Sequence, residues 1–419
     1  FMGKYIVKNG QKIEGTLDIR GAKNSILPII AGSILNENIS IIHNVADISD
    51  VHIMIKILES VGCKIKYENG TLVVDSSNIV SCDINEEYVN KMRSSIIVMG
   101  AMIGRLDYMK IGHPGGCKIG KRPIDLHLEG LRKLGVEITE SEGFIHCNKK
   151  ELKGSTIVLD FPSVGATENI MLASVKANGI TKIINPAKEP EIEDLANFLN
   201  KMGAKISGAG TNLIKIEGVK KLNKVEHTVI PDRIAIGTYM VASAMTGGKL
   251  EVKNVIHSHM DPVYKVFSCC GCDIKYLDNK VILFPTRKIK SMELVKTLPY
   301  PGFPTDMQSQ IMALMSISDG ETIFNETIFE NRFMHIKELI KMGANIEIID
   351  KNTCLVKGVE KLYGNNVVSS DLRGGASLVL AGLVAEGETE ISNIYHIERG
   401  YEKFEYVLRS LGANIKKEL

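Results

Sequence analysis

The sequence predicts a mixed α/β (α+β) protein of two domains, each built from three copies of a strand–helix–strand–helix–strand–strand unit. Three observations carry that prediction. The chain has 419 residues, and at roughly 100–200 residues per domain that is two or three domains. One phrase recurs six times: ILESVGCKI at 57–65, LRKLGVEI at 131–138, LNKMGAKI at 199–206, FSCCGCDI at 267–274, LIKMGANI at 339–346 and LRSLGANI at 408–415. Its glycines at 62, 135, 203, 271, 343 and 412 are spaced 73, 68, 68, 72 and 69 residues apart. Ahead of the phrase stands a second anchor, where a strand closes on Asn44, Asn185, Asn254, Asn325 or Asn393, with Gly112 in the second copy.

Each phrase reads as the last turn of an amphipathic helix, then a glycine in the left-handed conformation just past the helix end, then a strand. The segment before each Asn reads as an apolar helix followed by a strand. Six units of about 70 residues divide naturally into two groups of three, with the break near 217–231. A six-unit solenoid would need polar capping units, and none is visible.

Composition removes several function classes. Lys+Arg 51 against Asp+Glu 49 leaves a net charge of +2, so bulk charge provides no face for a polyanion. The strongest candidate for a membrane span, 94–103, falls far short of the ~18 residues a membrane helix needs. The opening Phe1-Met2-Gly3-Lys4-Tyr5 lacks a signal-peptide profile, and Phe1 ahead of Met2 reads as a cloning remnant. Eight cysteines show no disulfide-framework spacing. Cys269-Cys270-Gly271-Cys272 is one copy of the recurring helix end, which favours a structural role over zinc. A reduced, cytoplasmic protein is expected.

The repeat breaks in one place. From Asn (or Gly112) to Gly the six units count 18, 23, 18, 17, 18 and 19 residues. The excess in the second unit lies in His113-Pro114-Gly115-Gly116-Cys117-Lys118-Ile119-Gly120-Lys121-Arg122-Pro123, a surface loop by composition. Its Gly115-x4-Gly120-Lys121 resembles a P-loop but fails, because Arg122 stands where Ser or Thr must hold magnesium. Cys117 sits among Lys118, Lys121 and Arg122, cations that raise the thiolate fraction and point to a chemical role.

Aligned across the units, the first helices open on Lys23, Arg93, Ser163, Arg233, Asp306 and Arg373. Four of six place a cation at the positive end of a helix dipole, which disfavours it by roughly 0.3–1 kcal/mol. Recurrence of that choice suggests an anion held at helix entrances, although Arg233 or Arg373 taken alone reads as a surface partner of the preceding Asp232 or Asp371. Asp306 breaks the set. It reads as an N-cap or, facing the same anion, as a general base. Basic groups, one carboxylate and one activated thiol suit group transfer among phosphorylated metabolites.

At these residues the sequence resembles a known family. Gly21-Ala22-Lys23-Asn24, Pro114 through His127, Phe303-Pro304-Thr305-Asp306-Met307-Gln308, Glu330-Asn331-Arg332-Phe333-Met334-His335 and His396-Ile397-Glu398-Arg399-Gly400-Tyr401 are similar to the UDP-N-acetylglucosamine 1-carboxyvinyltransferase family over essentially the whole chain. The resemblance implies two inside-out α/β barrel domains of three βαβαββ repeats. The first would span 21–230, the second 1–20 plus 231–419, with the active site in the cleft between them. It implies transfer of the enolpyruvyl group of phosphoenolpyruvate to the 3′-hydroxyl of UDP-N-acetylglucosamine, releasing phosphate by addition–elimination through a tetrahedral ketal. This is the first committed step of peptidoglycan synthesis. No cofactor and no metal are called for.

By resemblance, Cys117 is the general acid that protonates the methylene carbon and can form an adduct with phosphoenolpyruvate. Asp306 is the base near the attacking hydroxyl, and Lys23 and Arg399 complete the catalytic set. Lys23, Asn24, Arg122, Arg332, Arg373 and Arg399 are implied at phosphoenolpyruvate, with Lys23, Arg122 and Arg399 on phosphate and Arg332 and Arg373 by the carboxylate. Asn24, Arg93, Arg122, Pro123, Ile124, Asp125, Leu126, Ser163, Val164, Gly165, Asp306 and Ile328 are implied at the nucleotide sugar. The cysteine loop is expected to close over that sugar and exclude water.

Two departures stand out. Asp160-Phe161-Pro162-Ser163 lacks a Lys that some members carry before the Ser, which removes a direct cationic contact to the nucleotide. Arg373-Gly374-Gly375 replaces an Ala-Ser, which reads as neutral. Three rivals are weaker. A shikimate 3-phosphate enolpyruvyl transferase would open on Gly-Ser-Lys-Ser rather than Gly21-Ala22-Lys23-Asn24. A nucleotide-sugar sensor without turnover needs neither Cys117 nor Asp306, and an RNA cyclase of related fold needs a nucleophilic His with an ATP site.

Overall fold

The six recurring glycines all adopt the left-handed backbone that the helix–glycine–strand reading requires, with φ between 81° and 116°. The second anchor has the same origin. Asn44, Asn185, Asn254 and Asn393 have φ of 58–61°, a conformation that Asn tolerates better than most residues. Three of their side-chain amides reach across to the parallel strand alongside. Asn44 donates to the Val229 carbonyl at 3.0 Å, Asn185 to the Leu159 carbonyl at 2.7 Å, and Asn254 to the Asp18 carboxylate. Asn325 differs: it stays extended at the end of strand Glu321–Asn325 and donates to Thr353 Oγ1 at 3.1 Å.

The computed structural model describes residues 3–115 and 124–419. Among them lie five four-stranded sheets and one three-stranded sheet, one per repeat. In the first, Val225–Thr228 runs parallel to Ile39–His43, which pairs antiparallel with Thr71–Asp75, itself antiparallel to Lys64–Glu68. The second repeat departs from the pattern, because its leading strand shrinks to a single bridge between Asp83 and Lys110. There Lys110 N–H donates to the Cys82 carbonyl and Ile84 N–H to the Lys110 carbonyl.

The N-terminal segment supplies two missing strands. Gly15–Asp18 leads the fourth sheet, parallel to Leu250–Lys253. Lys4–Lys8 lies antiparallel between Glu388–Ser392 and Asn414–Glu418, so the last repeat is completed by the start of the chain. Two compact units result: residues 3–20 with 231–419, and 21–115 with 124–230. Within the second of these units Ala22 N–H donates to the Ile230 carbonyl at 2.8 Å, and within the first Asp232 N–H donates to the Arg20 carbonyl at 3.0 Å.

Within each unit the first helices of the repeats are the core. Leu372–Gly382 is buried along its whole length, as is Arg233–Thr246 apart from Ala235 and Thr246. A helix that is apolar on all sides must sit inside. The strands alternate instead, as in Ile180–Ile184, where only Thr181 and Ile183 are buried, so the sheets lie outside with one face solvated. Close helix packing demands glycine. A Cβ on Gly100 would lie 2.2 Å from the Asn169 carbonyl oxygen, while its N–H donates to Asn169 Oδ1 at 2.7 Å. No helix among the described residues is long and apolar enough to cross a membrane.

Candidate active site

In the unit of residues 21–230, Lys23 opens the helix Lys23–Gly32 and carries its ammonium 2.9 Å from Asp50 Oδ2. Asp50 is fully buried in the first turn of Ser49–Ser60. The partner offsets the dipole penalty on Lys23, a protein carboxylate doing locally what the sequence assigned to a bound anion. Asn24 follows, half-buried.

A second group converges around His127. Its Nδ1 lies 2.8 Å from Asn169 Nδ2, which also donates to the Ile96 carbonyl at 3.0 Å. Burial and, secondarily, the nearby Arg93 guanidinium push His127 down to about 4, so the ring is neutral near pH 7. Burial likewise lowers Arg93. Ser163 caps the helix Val164–Ser174, accepting from Ala166 N–H at 3.3 Å. A Cβ on Gly165 would lie 2.8 Å from His127 Cε1. The structure therefore brings Arg93 and the 163–165 entrance together around one neutral imidazole. Ile124, Asp125 and Leu126 adjoin it, at the start of Asp125–Lys133.

In the other unit the centre is Asp306, on the short turn Thr305–Met307. Its carboxylate does not cap the turn, against the plainer of the two sequence readings. Instead Oδ1 meets Arg332 Nη2 and Oδ2 meets Arg373 Nη2, each at 3.2 Å. The two arginine side chains are 4% and 3% exposed against 25% for the aspartate, so the carboxylate is the accessible member of the trio. Burial alone would lower Arg373, but Tyr401, Asp306 and Asp232 outweigh it and raise it, which keeps it charged. Its guanidinium lies 5.2 Å over the Tyr401 ring. Nε and Nη1 have no hydrogen-bond acceptor among the described residues.

The aspartate's backbone is held as firmly. Gln310 Nε2 donates to the Asp306 carbonyl at 2.8 Å and to Thr238 Oγ1 at 3.1 Å, and Thr238 shares a 2.9 Å bond with Tyr401. Buried Glu326 accepts from Thr305 Oγ1 at 2.9 Å and from Ile328 N–H at 2.8 Å, tying Ile328 to the Asp306 turn. Arg399 stands half-buried just past Tyr395–Glu398. Asp371 caps Leu372–Gly382 through Arg373 and Gly374 N–H, and Asp232 caps Arg233–Thr246 through Ile234 and Ala235 N–H.

At the Gly374-Gly375 departure an added side chain would meet close neighbours. A Cβ on Gly374 would lie 2.5 Å from Asp371 Oδ2, and one on Gly375 2.1 Å from Ser369 Oγ, so Ala-Ser would fit only if those side chains moved. Cys117, Arg122 and Pro123 lie outside the described residues, with most of the inserted loop. Sequence reasoning missed Asp50, His127 and Glu326 as members of these clusters. Only His127 had a signal, its place in the motif ending Asp125-Leu126-His127.

Comparison with known proteins follows this geometry. The family model described as EPSP synthase (3-phosphoshikimate 1-carboxyvinyltransferase) matches residues 7–408. Two UDP-N-acetylglucosamine 1-carboxyvinyltransferases, numbered 2 and 1, of Caldanaerobacter subterraneus subsp. tengcongensis are 51% and 50% identical, over 99% of this chain and of each relative. One from Finegoldia magna is 48% identical over 98% of both. Among solved structures, the enolpyruvyl transferase NikO from Streptomyces tendae superposes with a TM-score of 0.90 at 22% identity, covering 99% of both chains. EPSP synthase from Acinetobacter baumannii gives 0.78 at 18% identity, covering both chains fully. At such identities the structural likeness speaks for the fold alone.

Proposed function

The chain belongs to the EPSP synthase family of carboxyvinyl transferases, and from that premise we infer that it is a UDP-N-acetylglucosamine 1-carboxyvinyltransferase. It transfers the enolpyruvyl group of phosphoenolpyruvate to the 3′-hydroxyl of UDP-N-acetylglucosamine and releases phosphate, the entry reaction of peptidoglycan synthesis. The curated relatives, matched end to end at about half identity, favour that acceptor over shikimate 3-phosphate and favour turnover over sensing.

Of the geometry, the Arg332–Asp306–Arg373 bridge carries the reading. A carboxylate at the accessible end of two buried guanidiniums can accept a hydroxyl proton, while its partners offer positive charge for an anionic co-substrate. In the proposed sequence the sugar 3′-oxygen adds to C2 of phosphoenolpyruvate as its proton passes to Asp306. Cys117 delivers a proton to C3, giving the tetrahedral ketal. The Cys117 thiolate then takes a proton back from C3 as the C2–O bond to phosphate breaks, which restores the double bond, and the proton held on Asp306 leaves with the phosphate. Lys23, Arg122 and Arg399 are assigned to the phosphate and Arg332 and Arg373 to the carboxylate, where fixed cations offset the charge on the departing group. Asn24, Arg93, Ile124 to Leu126, Ser163 to Gly165 and Ile328 are assigned to the nucleotide sugar. A reduced, cytoplasmic setting fits the seven described cysteines, all free.

The test is phosphate release from phosphoenolpyruvate with UDP-N-acetylglucosamine and, in parallel, with shikimate 3-phosphate, for wild type and Cys117→Ala. Turnover with the nucleotide sugar alone, lost in the variant, is expected. Tight sugar binding without turnover would favour the sensor.

A further inference from the structure

Of three core helices, Lys23–Gly32 opens on a residue assigned to substrate, Leu372–Gly382 opens directly before one and Arg233–Thr246 opens on neither, and they are not held alike. Arg233–Thr246 and Leu372–Gly382 each begin behind an aspartate whose carboxylate accepts two backbone N–H groups. The helix Lys23–Gly32 begins behind Ala22, which offers no side-chain cap. The missing carboxylate arrives from elsewhere in the unit. Asp194, on the helix Pro190–Lys201, is 2% exposed and points into the first turn of the Lys23 helix. It accepts from Ser25 Oγ, from His227 Nε2 at 2.8 Å and from Ile230 N–H at 3.3 Å.

Ile230 completes a ring, because its carbonyl accepts from Ala22 N–H at 2.8 Å. Asp194 thus reaches the helix entrance at two points: directly at Ser25, and through Ile230 at Ala22. Lys23 and Asn24 are the two residues between those points. We propose that Asp194 is the positioning residue of Lys23 and Asn24, fixing their backbone while Asp50 fixes the Lys23 ammonium. This rests on the assignment of Lys23 and Asn24 to the substrates. His227 in turn steadies Asp194, its ring lying edge-on to Phe198 at 5.6 Å between centroids. A buried carboxylate is retained only when its oxygens are satisfied, and here the donors come from the segments that frame the Lys23–Asn24 pair.

Steady-state phosphate release by the purified full chain tests this, comparing wild type with Ser25→Ala, Asp194→Asn, the double variant and Lys23→Ala, with thermal unfolding recorded for each. Ser25→Ala is expected to raise KM for phosphoenolpyruvate and lower kcat/KM about tenfold, the scale of a sub-ångström misplacement, while the unfolding temperature barely moves. The double variant is expected to be no worse than Asp194→Asn, since both break one tether. Should Asp194→Asn fail to fold, Ser25→Ala decides alone. Wild-type kcat and KM in Ser25→Ala, or a loss of stability without a kinetic change, overturns the proposal while an active wild type and an inert Lys23→Ala leave the reaction assignment standing. A wild type inert with both acceptors removes that assignment instead, and this inference with it.

Discussion

The two units solve one electrostatic problem in opposite ways. In the unit of residues 21–115 and 124–230 the Lys23 ammonium meets the fully buried Asp50 carboxylate. In the other unit the Asp306 carboxylate bridges two buried guanidiniums, those of Arg332 and Arg373. The first arrangement holds a cation still. The second keeps a carboxylate accessible at the end of two buried cations. In the first the cation is the more exposed member and in the second the carboxylate is, so the units differ less in residue type than in which charge they present.

That contrast can be broken most severely at Asp306. Asp306→Ala is expected to lower kcat by about 10²–10⁴-fold, the range for losing a general base, as read by phosphate release. Retention within about threefold would reduce Asp306 to a spacer between arginines and end the contrast.

A second effect belongs to the unit that carries Lys23. His127 is held down at about 4, below its usual 6.5, by burial and by Arg93. The unfolded chain therefore binds the extra proton first as pH falls. Stability is full above about pH 6.5 and declines towards pH 4, by on the order of 3 kcal/mol from this group. His335, fully buried beside Gly374 in the other unit, is also pushed down to about 4 by burial, with Arg332 adding to that and Asp371 opposing it. Denaturant unfolding at several pH values should show this slope, and His127→Gln should flatten it in part. An unchanged slope would mean that the imidazole is not the buried neutral group described.

Arg373→Lys keeps the charge but loses the planar fork. KM for phosphoenolpyruvate should rise about tenfold, the cost of roughly one charge-assisted hydrogen bond, with KM for the nucleotide sugar nearly unchanged. The smallest effect is expected from Gly165→Ala, whose new Cβ would press on His127 Cε1. A few-fold rise in KM for the nucleotide sugar with kcat preserved would place the 163–165 entrance on the binding side, in keeping with that unit's role. A fall in kcat alone would reverse the assignment.

Much of the scaffold was legible because backbone conformation leaves marks in residue choice. Gly62, Gly135, Gly203, Gly271, Gly343 and Gly412 announce left-handed helix ends, and four of the five anchor asparagines are left-handed too. The candidate site was legible only in part. Asp306 could be singled out as the exception among cations, yet at a helix entrance it reads equally as a cap until Arg332 and Arg373 are seen on its two oxygens. Glu326 follows the Asn325 anchor with nothing to mark it, although it ties Thr305 to Ile328. Asp50 and Asp194 look like ordinary helix acids, because what distinguishes them is a partner 27 and 169 residues away.

By itself, then, the sequence determined the sixfold βαβαββ repeat, the inserted loop around Cys117 and the family, since local backbone geometry and contiguous motifs are written in neighbouring residues. Only the tertiary structure decided how the chain start completes the last repeat, with Lys4–Lys8 between Glu388–Ser392 and Asn414–Glu418. It also decided which carboxylate answers which cation. Pairing of charges and of strands depends on distance in space, and over a chain folded into packed repeats that distance bears no fixed relation to distance along the sequence.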